Sequence, residues 1–137
     1  MEEMNVQMTD SPFTPMSALC LGAMTIVAED GEFTEEELTY LRNLVRTNES
    51  AYLSAFQFFK EHTVEECIAK VAATLTAQQK LSAFAMMVDI GYADKNFATV
   101  EQQLLDNYAG AFGISHPKAD EIYRVTALRH DFSVFVL

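Results

Sequence analysis

Apolar residues recur along the chain at helical spacing, and the strict alternation typical of half-buried strands is scarce. Capping boxes, in which Thr is followed three residues later by Glu or Gln, predict helix starts at Thr34, Thr63 and Thr76. A Pro just inside a start predicts two more, after Thr14 and after Ser115. The pattern predicts an all-α bundle of about seven helices, at residues 14–28, 34–46, 50–61, 63–75, 76–93, 99–112 and 115–129.

Length and composition favour a single domain. The chain has 137 residues, half of them apolar, which is enough for one sizeable core. The expected organisation is an N-terminal tail at residues 1–13 and one helical domain at 14–137. The apolar stretch 132–137 either packs on the bundle as a short extension, which is the favoured interpretation, or forms an oligomer contact such as that of a homodimer.

An internal repeat relates residues 17–47 to residues 81–111, with six identical pairs at an offset of 64. Each copy consists of a nearly all-apolar helix, an acidic break with Asp at a fixed place and Phe three residues later, and an amphipathic helix with Glu in its first turn. A helix that is apolar on every side belongs in the middle of a bundle. The repeat therefore predicts a pseudo-two-fold core built around two such helices.

Net charge excludes some classes of function and is unevenly distributed. The chain carries a net charge of −11, and residues 29–37 contain six acidic side chains and no basic one. So acidic a chain, without a basic stripe, argues against nucleic-acid binding. The first residues lack the pattern of a signal peptide, and the longest apolar run, 18–28, is about half of a membrane span, so a cytoplasmic protein without direct membrane insertion is expected. Cys20 and Cys67 lie in apolar helical patterns and are expected to be buried packing residues.

The two acidic breaks are the candidate site. Asp30 and Asp94 follow the carboxyl ends of apolar helices, where the helix dipole disfavours a carboxylate, so each needs a compensating partner. Glu37 and Glu101 come seven residues later, in the first turn of the next helix, from which a side chain can reach back to the break. If the repeat brings the breaks together, four carboxylates meet. Hard oxygen ligands of this kind bind Ca²⁺ or Mg²⁺.

Structural explanations compete with this one. Asp30 precedes a Gly in a common turn pair, and Glu37 is explained by its capping box with Thr34. The second copy favours the metal, because Lys95 and Ala98 replace the turn Gly and the capping Thr there, while the Asp and the Glu remain.

Asp89 is a further candidate ligand, since it is an acid within the apolar helix of the second copy. The equally weighted alternative is a buried hydrogen bond or an ion pair with an Arg such as Arg124. The three histidines, His62, His116 and His130, are expected to be ordinary surface or core residues, because none stands in a Glu-x-x-His pattern of a di-iron bundle.

Two other classes of function, an EF-hand calcium protein and an enzyme, do not fit the sequence. Gly31 and Glu37 copy the second half of an EF-hand loop, but its first two ligand positions would be Ile26 and Ala28, which cannot bind calcium. No nucleophile, base and orienting residue can be assembled, and no glycine-rich phosphate loop occurs, so the protein is not expected to be an enzyme.

The two motifs, IVAEDGEFTEEELTYL and VDIGYADKNFATVEQQLL, and the ending NYAGAFGIS resemble the tellurite-resistance TerB-like family over residues 16–131. The resemblance implies an all-helical, pseudo-two-fold bundle, an acidic cluster for a divalent metal, and a role in bacterial resistance to tellurite and other stresses. It also implies membrane-embedded partners of the TerC type, and hence a position at the inner membrane through a partner. Carried over by position, the metal ligands are Asp30, Glu37, Asp89, Asp94 and Glu101.

One residue departs from the family pattern. Lys95 stands where the motif usually has Gly and places a positive charge beside the second motif. Two functions follow from the sequence. One is a non-enzymatic stress protein that binds Ca²⁺ or Mg²⁺ through its paired acidic motifs. The alternative is a metal-free helical interaction module that docks a basic partner through the acidic face at residues 29–37.

Overall fold

A computed structural model describes residues 12–28, 33–93 and 99–136, with the side chains of all of these except 99–101. Helices account for most of these residues and no strand occurs among them, so the predicted all-α class is confirmed. Seven α-helices are present in these ranges: α1 Pro15–Val27, α2 Glu35–Leu44, α3 Glu49–Glu61, α4 Val64–Thr74, α5 Ala77–Ala93, α6 Thr99–Phe112 and α7 His116–Arg129. A short 3-10 helix, Ser133–Phe135, follows them.

Side-chain caps fix where the helices begin. Thr34 and Thr63 each form the predicted reciprocal box, in which the Thr hydroxyl accepts a backbone N–H and a Glu carboxylate accepts the N–H of the Thr. Thr76 and Gln79 bond in the same way. These local bonds explain why the predicted starts agree with the structure to within a residue.

Two helix ends show where local signals succeed and where they mislead. The predicted end of α6 at Gly113 is confirmed, since this residue has the left-handed φ of 70° that glycine adopts without strain. The start of α3 was predicted at Ser50, but Asn48 caps it by accepting the N–H of Ala51.

Contacts divide the chain into two compact units, residues 1–75 and residues 76–137. In the first unit, α1 packs against α2, α3 and α4. In the second unit, α5 packs against α6 and α7. Each unit thus contains one copy of the repeat, and the apolar helix of that copy is the one that the other helices of the unit contact.

Burial confirms that the two apolar helices form the cores of their units. In α1, the side chains of Leu21 and Met24 are fully buried, and Ser17 is buried with its hydroxyl 2.7 Å from that of Ser54 on α3. In α5, Phe84 and Val88 are fully buried. The uncharged hydroxyl pair is a buried polar contact that satisfies both groups.

Both cysteines are buried and unpaired, as predicted. Burial raises the pKa of the Cys20 thiol to about 12. Burial, with a smaller contribution from the charge of Glu66, raises the pKa of Cys67 to about 11. Because the thiolate is the reactive form, neither cysteine is an activated nucleophile at neutral pH.

The apolar C-terminal segment does not pack on the protein. Phe132 is 66% exposed, and Val134, Phe135 and Val136 are each about three-quarters exposed, at 75%, 78% and 74%. The favoured interpretation of this segment as a packed extension is therefore wrong for residues 132–136. The other interpretation, an oligomer contact, stays a prediction.

Candidate functional site

Glu37 is the described carboxylate of the first motif. It lies at the third position of α2, where its Oε1 accepts the backbone N–H of Thr34 at 2.9 Å. The capping role that competed with metal binding is thus present. It uses one carboxylate oxygen, so the described contacts leave Oε2 of this half-buried side chain available to a cation. The cap is thus compatible with a ligand role for Glu37, and that role stays a prediction.

The other three motif carboxylates lie beyond what the structure describes. Asp30 and Asp94 fall outside the described ranges, and Glu101 lies on α6 but its side chain is not described. Their role as ligands stays a prediction. Among the side chains that are described, no group of three or more His, Cys, Asp or Glu is placed to hold a metal ion.

Asp89, the fifth predicted ligand, lies on α5 and is paired with the end of α7. Its Oδ1 is 2.8 Å from Nε2 of His130 and 3.5 Å from a guanidinium nitrogen of Arg129. An ionised carboxylate only accepts hydrogen bonds, so Nε2 of His130 is the donor. The alternative of an ion pair agrees with this geometry, but the Arg is Arg129 rather than Arg124.

The surroundings of Asp89 fit a cation poorly. The Oδ1 atom already accepts a hydrogen bond and lies beside a permanently charged guanidinium, which would repel an incoming metal ion. The side chain is 36% exposed and His130 is 30% exposed, so solvent weakens but does not abolish these effects. Asp89 is therefore better placed to attach α7 to α5 than to bind a metal.

We expect Asp89→Ala to lower the free energy of unfolding by about 0.5–1.5 kcal/mol, because His130 loses its partly buried acceptor. Asp89→Asn retains an oxygen acceptor and should cost less. Both values are measured by urea denaturation. Neither variant should change any stabilisation of the protein by Ca²⁺ or Mg²⁺. If Asp89→Asn abolished that stabilisation, Asp89 would have to be counted among the metal ligands.

A polar contact that the sequence did not reveal joins α6 to α7. The hydroxyl of Tyr123 donates to Oδ1 of Asp106 at 2.7 Å, and Gln102 donates to the same oxygen at 3.1 Å. Burial, followed by the bond to Asp106, raises the pKa of Tyr123 well above its usual range. The phenol stays protonated at neutral pH, so the contact is a positioning bond without acid or base chemistry.

Within the described ranges, no helix combines the length and apolar character needed to span a bilayer. The fold and the motifs define a class of all-helical protein, in which two apolar helices form the cores of two compact units and each is followed in the sequence by an acidic motif. A model of the family described as Tellurite resistance protein TerB matches residues 16–124. The chain belongs to the TerB family.

The family match confirms the resemblance that the sequence predicted, and it covers both copies of the repeat. No curated protein and no solved structure matches the chain. The family thus identifies the chain as a tellurite-resistance-type helical domain.

Proposed function

We propose that this protein is a non-enzymatic stress protein of the TerB family that binds a divalent cation, Ca²⁺ or Mg²⁺, through its acidic inter-helix motifs. The observation that carries the proposal is the placement of those motifs. In both units, the motif Asp comes within three positions after the last described residue of the core helix, and the motif Glu is the third residue of the next helix. The breaks hold Asp30 and Asp94, and the helix starts hold Glu37 and Glu101.

Electrostatics support a cation at the first break. Residues 29–37 hold six carboxylates and no basic side chain. Two carboxylates about 5 Å apart repel by roughly 3 kcal/mol at an effective dielectric of 20. A divalent cation converts this repulsion into attraction, and carboxylate oxygens are its preferred ligands.

The test is the melting temperature of chelator-treated protein with and without millimolar Ca²⁺ or Mg²⁺. At an ion concentration of about 100 times Kd, binding to the folded state stabilises it by about 2.7 kcal/mol. We expect Asp30→Asn combined with Asp94→Asn to abolish this shift. Parent protein that melts at the same temperature with either ion would contradict the proposal.

Two controls separate ligation from other effects. Glu35→Gln combined with Glu36→Gln removes two negative charges, as many as the double Asp→Asn variant. Both residues are exposed in the first turn of α2, the helix that also holds Glu37, so this variant should retain the ion-induced shift in melting temperature. Glu37→Gln keeps an oxygen that can accept the N–H of Thr34 but loses the charge, so it tests ligation with the cap intact. Equal loss of the shift in the exposed pair would indicate a general charge effect instead of a site.

The second candidate function is a metal-free interaction module. It is favoured by Glu35 and Glu36, which are exposed in the first turn of α2 and free to face a basic partner. It predicts that the protein binds a polylysine probe in a salt-sensitive manner and that the Glu35→Gln, Glu36→Gln variant loses this binding. It also predicts that neither Ca²⁺ nor Mg²⁺ changes the melting temperature. A membrane-embedded partner of the TerC type, which would place the protein at the inner membrane, is the partner that the family implies.

A further inference from the structure

The outer face of α7 carries a stripe of exposed side chains at coiled-coil spacing. Lys118, Glu121, Val125 and Leu128 follow one another at intervals of three and four residues, and all are exposed. Phe132, which is also exposed, comes three residues after Arg129, where α7 ends. Leu128 is 69% exposed. Side chains at this spacing lie along one side of a helix, which is the arrangement that two helices use to pack together.

The segment after α7 adds further exposed apolar side chains. Asp131 accepts the backbone N–H of Ser133 at 2.9 Å, and the N–H of Phe135 bonds back to the carbonyl of Phe132 at 3.0 Å. These bonds hold the segment in a defined turn while its apolar side chains face solvent. We define the C-terminal surface as the exposed apolar side chains of α7 and this turn: Val125, Leu128, Phe132, Val134, Phe135 and Val136.

The size of the C-terminal surface is consistent with a small specific interface. Since a whole aromatic side chain buries about 150–250 Å², these six side chains offer roughly 600 Å² per copy. A typical monomer exposes no more than about 300–600 Å² in its largest apolar patch. A symmetric pair would cover about 1,200 Å², the lower limit for a specific complex.

Charge favours a second copy of the chain as the occupant. Residues 115–136 carry three basic and three acidic side chains, in a chain whose net charge is −11. Two copies repel one another over most of their surfaces, but they can approach through this neutral region. An anionic membrane is less well matched, because such surfaces attract segments with an excess of Lys and Arg.

One pair of opposite charges on α7 is related by a two-fold axis through Val125. In an antiparallel pair with Val125 facing its own copy, Glu121 of one chain lies opposite Arg129 of the other. Within one chain Glu121 already contacts Lys118 at 3.1 Å, and Arg129 contacts Asp89 at 3.5 Å. Because Glu121 and Arg129 are 55% and 64% exposed, each can take a second partner across the interface. In a two-fold symmetric interface the same contact forms twice, so the surface has to be complementary to itself.

We propose that the C-terminal surface is the interface of an antiparallel homodimer, with the two α7 helices crossing at Val125. The proposal is independent of cation binding, since its residues lie outside both acidic motifs. The dimer is weak to moderate in affinity, because its area is near the lower limit for specific interfaces.

Molar mass in solution provides the first test, by light scattering and sedimentation from micromolar to millimolar concentrations. We expect the parent to approach twice the mass of one chain. Leu128→Ser combined with Phe135→Ser should reduce this to one chain, with an unchanged circular dichroism spectrum, because both side chains are exposed. The matched control, Leu53→Ser combined with Leu81→Ser, alters two other exposed leucines and should stay dimeric.

Orientation is tested by cross-linking. In an antiparallel pair only the residue on the two-fold axis, Val125, lies opposite the same residue of the other chain. Val125→Cys should therefore give a disulfide-linked dimer under mild oxidation, and Lys118→Cys should not. The two native cysteines are buried and will not interfere. A parent that stays monomeric at millimolar concentration overturns the proposal, and so does equal cross-linking at both positions. Sedimentation of a monomeric parent with phosphatidylserine vesicles, lost in Leu128→Ser with Phe135→Ser, would assign the surface to a membrane instead.

Discussion

Replacing Phe84 by Ala is expected to lower the free energy of unfolding by about 3–5 kcal/mol. The side chain is fully buried on α5, the helix that α6 and α7 contact, and its ring meets that of Tyr123 on α7 in an edge-to-face arrangement at 5.8 Å. Removing the ring takes away apolar burial and an aromatic contact, and it leaves a cavity that the neighbouring helices fill only in part.

Urea denaturation followed by circular dichroism measures this loss. Met86→Ala is the matched control, because Met86 lies on the same helix but is 44% exposed, and its replacement should cost less than about 1 kcal/mol. Hydrogen exchange should show the largest loss of protection in α5, α6 and α7. A Phe84→Ala variant no less stable than Met86→Ala would contradict the assignment of α5 as the core of its unit.

The second large effect is expected for Leu21→Ala, at about 2–5 kcal/mol. Leu21 is fully buried near the middle of α1, which α2, α3 and α4 all contact. Leu53→Ala is its control, since Leu53 lies on α3 of the same unit and is 46% exposed. Thermal melts and urea denaturation of the two variants give the comparison, and equal stability of both would show that α1 is not the core of its unit.

Leu21→Ala also bears on the proposed function. A ligand that binds only the folded state stabilises a destabilised variant by the same amount as the parent, provided that the site is intact. We therefore expect Ca²⁺ or Mg²⁺ to raise the stability of Leu21→Ala as much as that of the parent, although its starting stability is lower. The core substitution thus separates loss of stability from loss of the site, which Asp30→Asn and Asp94→Asn remove.

Much of the fold follows from local sequence. The boxes at Thr34, Thr63 and Thr76 act over three residues, so their pattern identifies the helix starts directly. The central positions of α1 and α5 follow from their apolar composition, because a helix without a polar face has to be covered on all sides.

The candidate site could be predicted from local sequence only in part. The sequence identified Glu37 as both a cap and a candidate ligand, and the structure shows the cap. It identified Asp89 as an acid in need of a partner, but it did not identify His130, which is 41 positions away along the chain. Residue type and spacing indicate that a charge needs compensation, and they do not identify the group that compensates it.

The all-α class and the helix boundaries, to within about two residues, could be predicted from residue order alone, because capping and periodicity act within one or two turns. The repeated motifs likewise indicated the family. Three features became known from the folded structure: Asp89 pairs with the end of α7, Ser17 contacts Ser54, and the residues after α7 face solvent. These contacts depend on which helix faces meet. That choice depends on packing among residues distant in sequence, which no local pattern encodes.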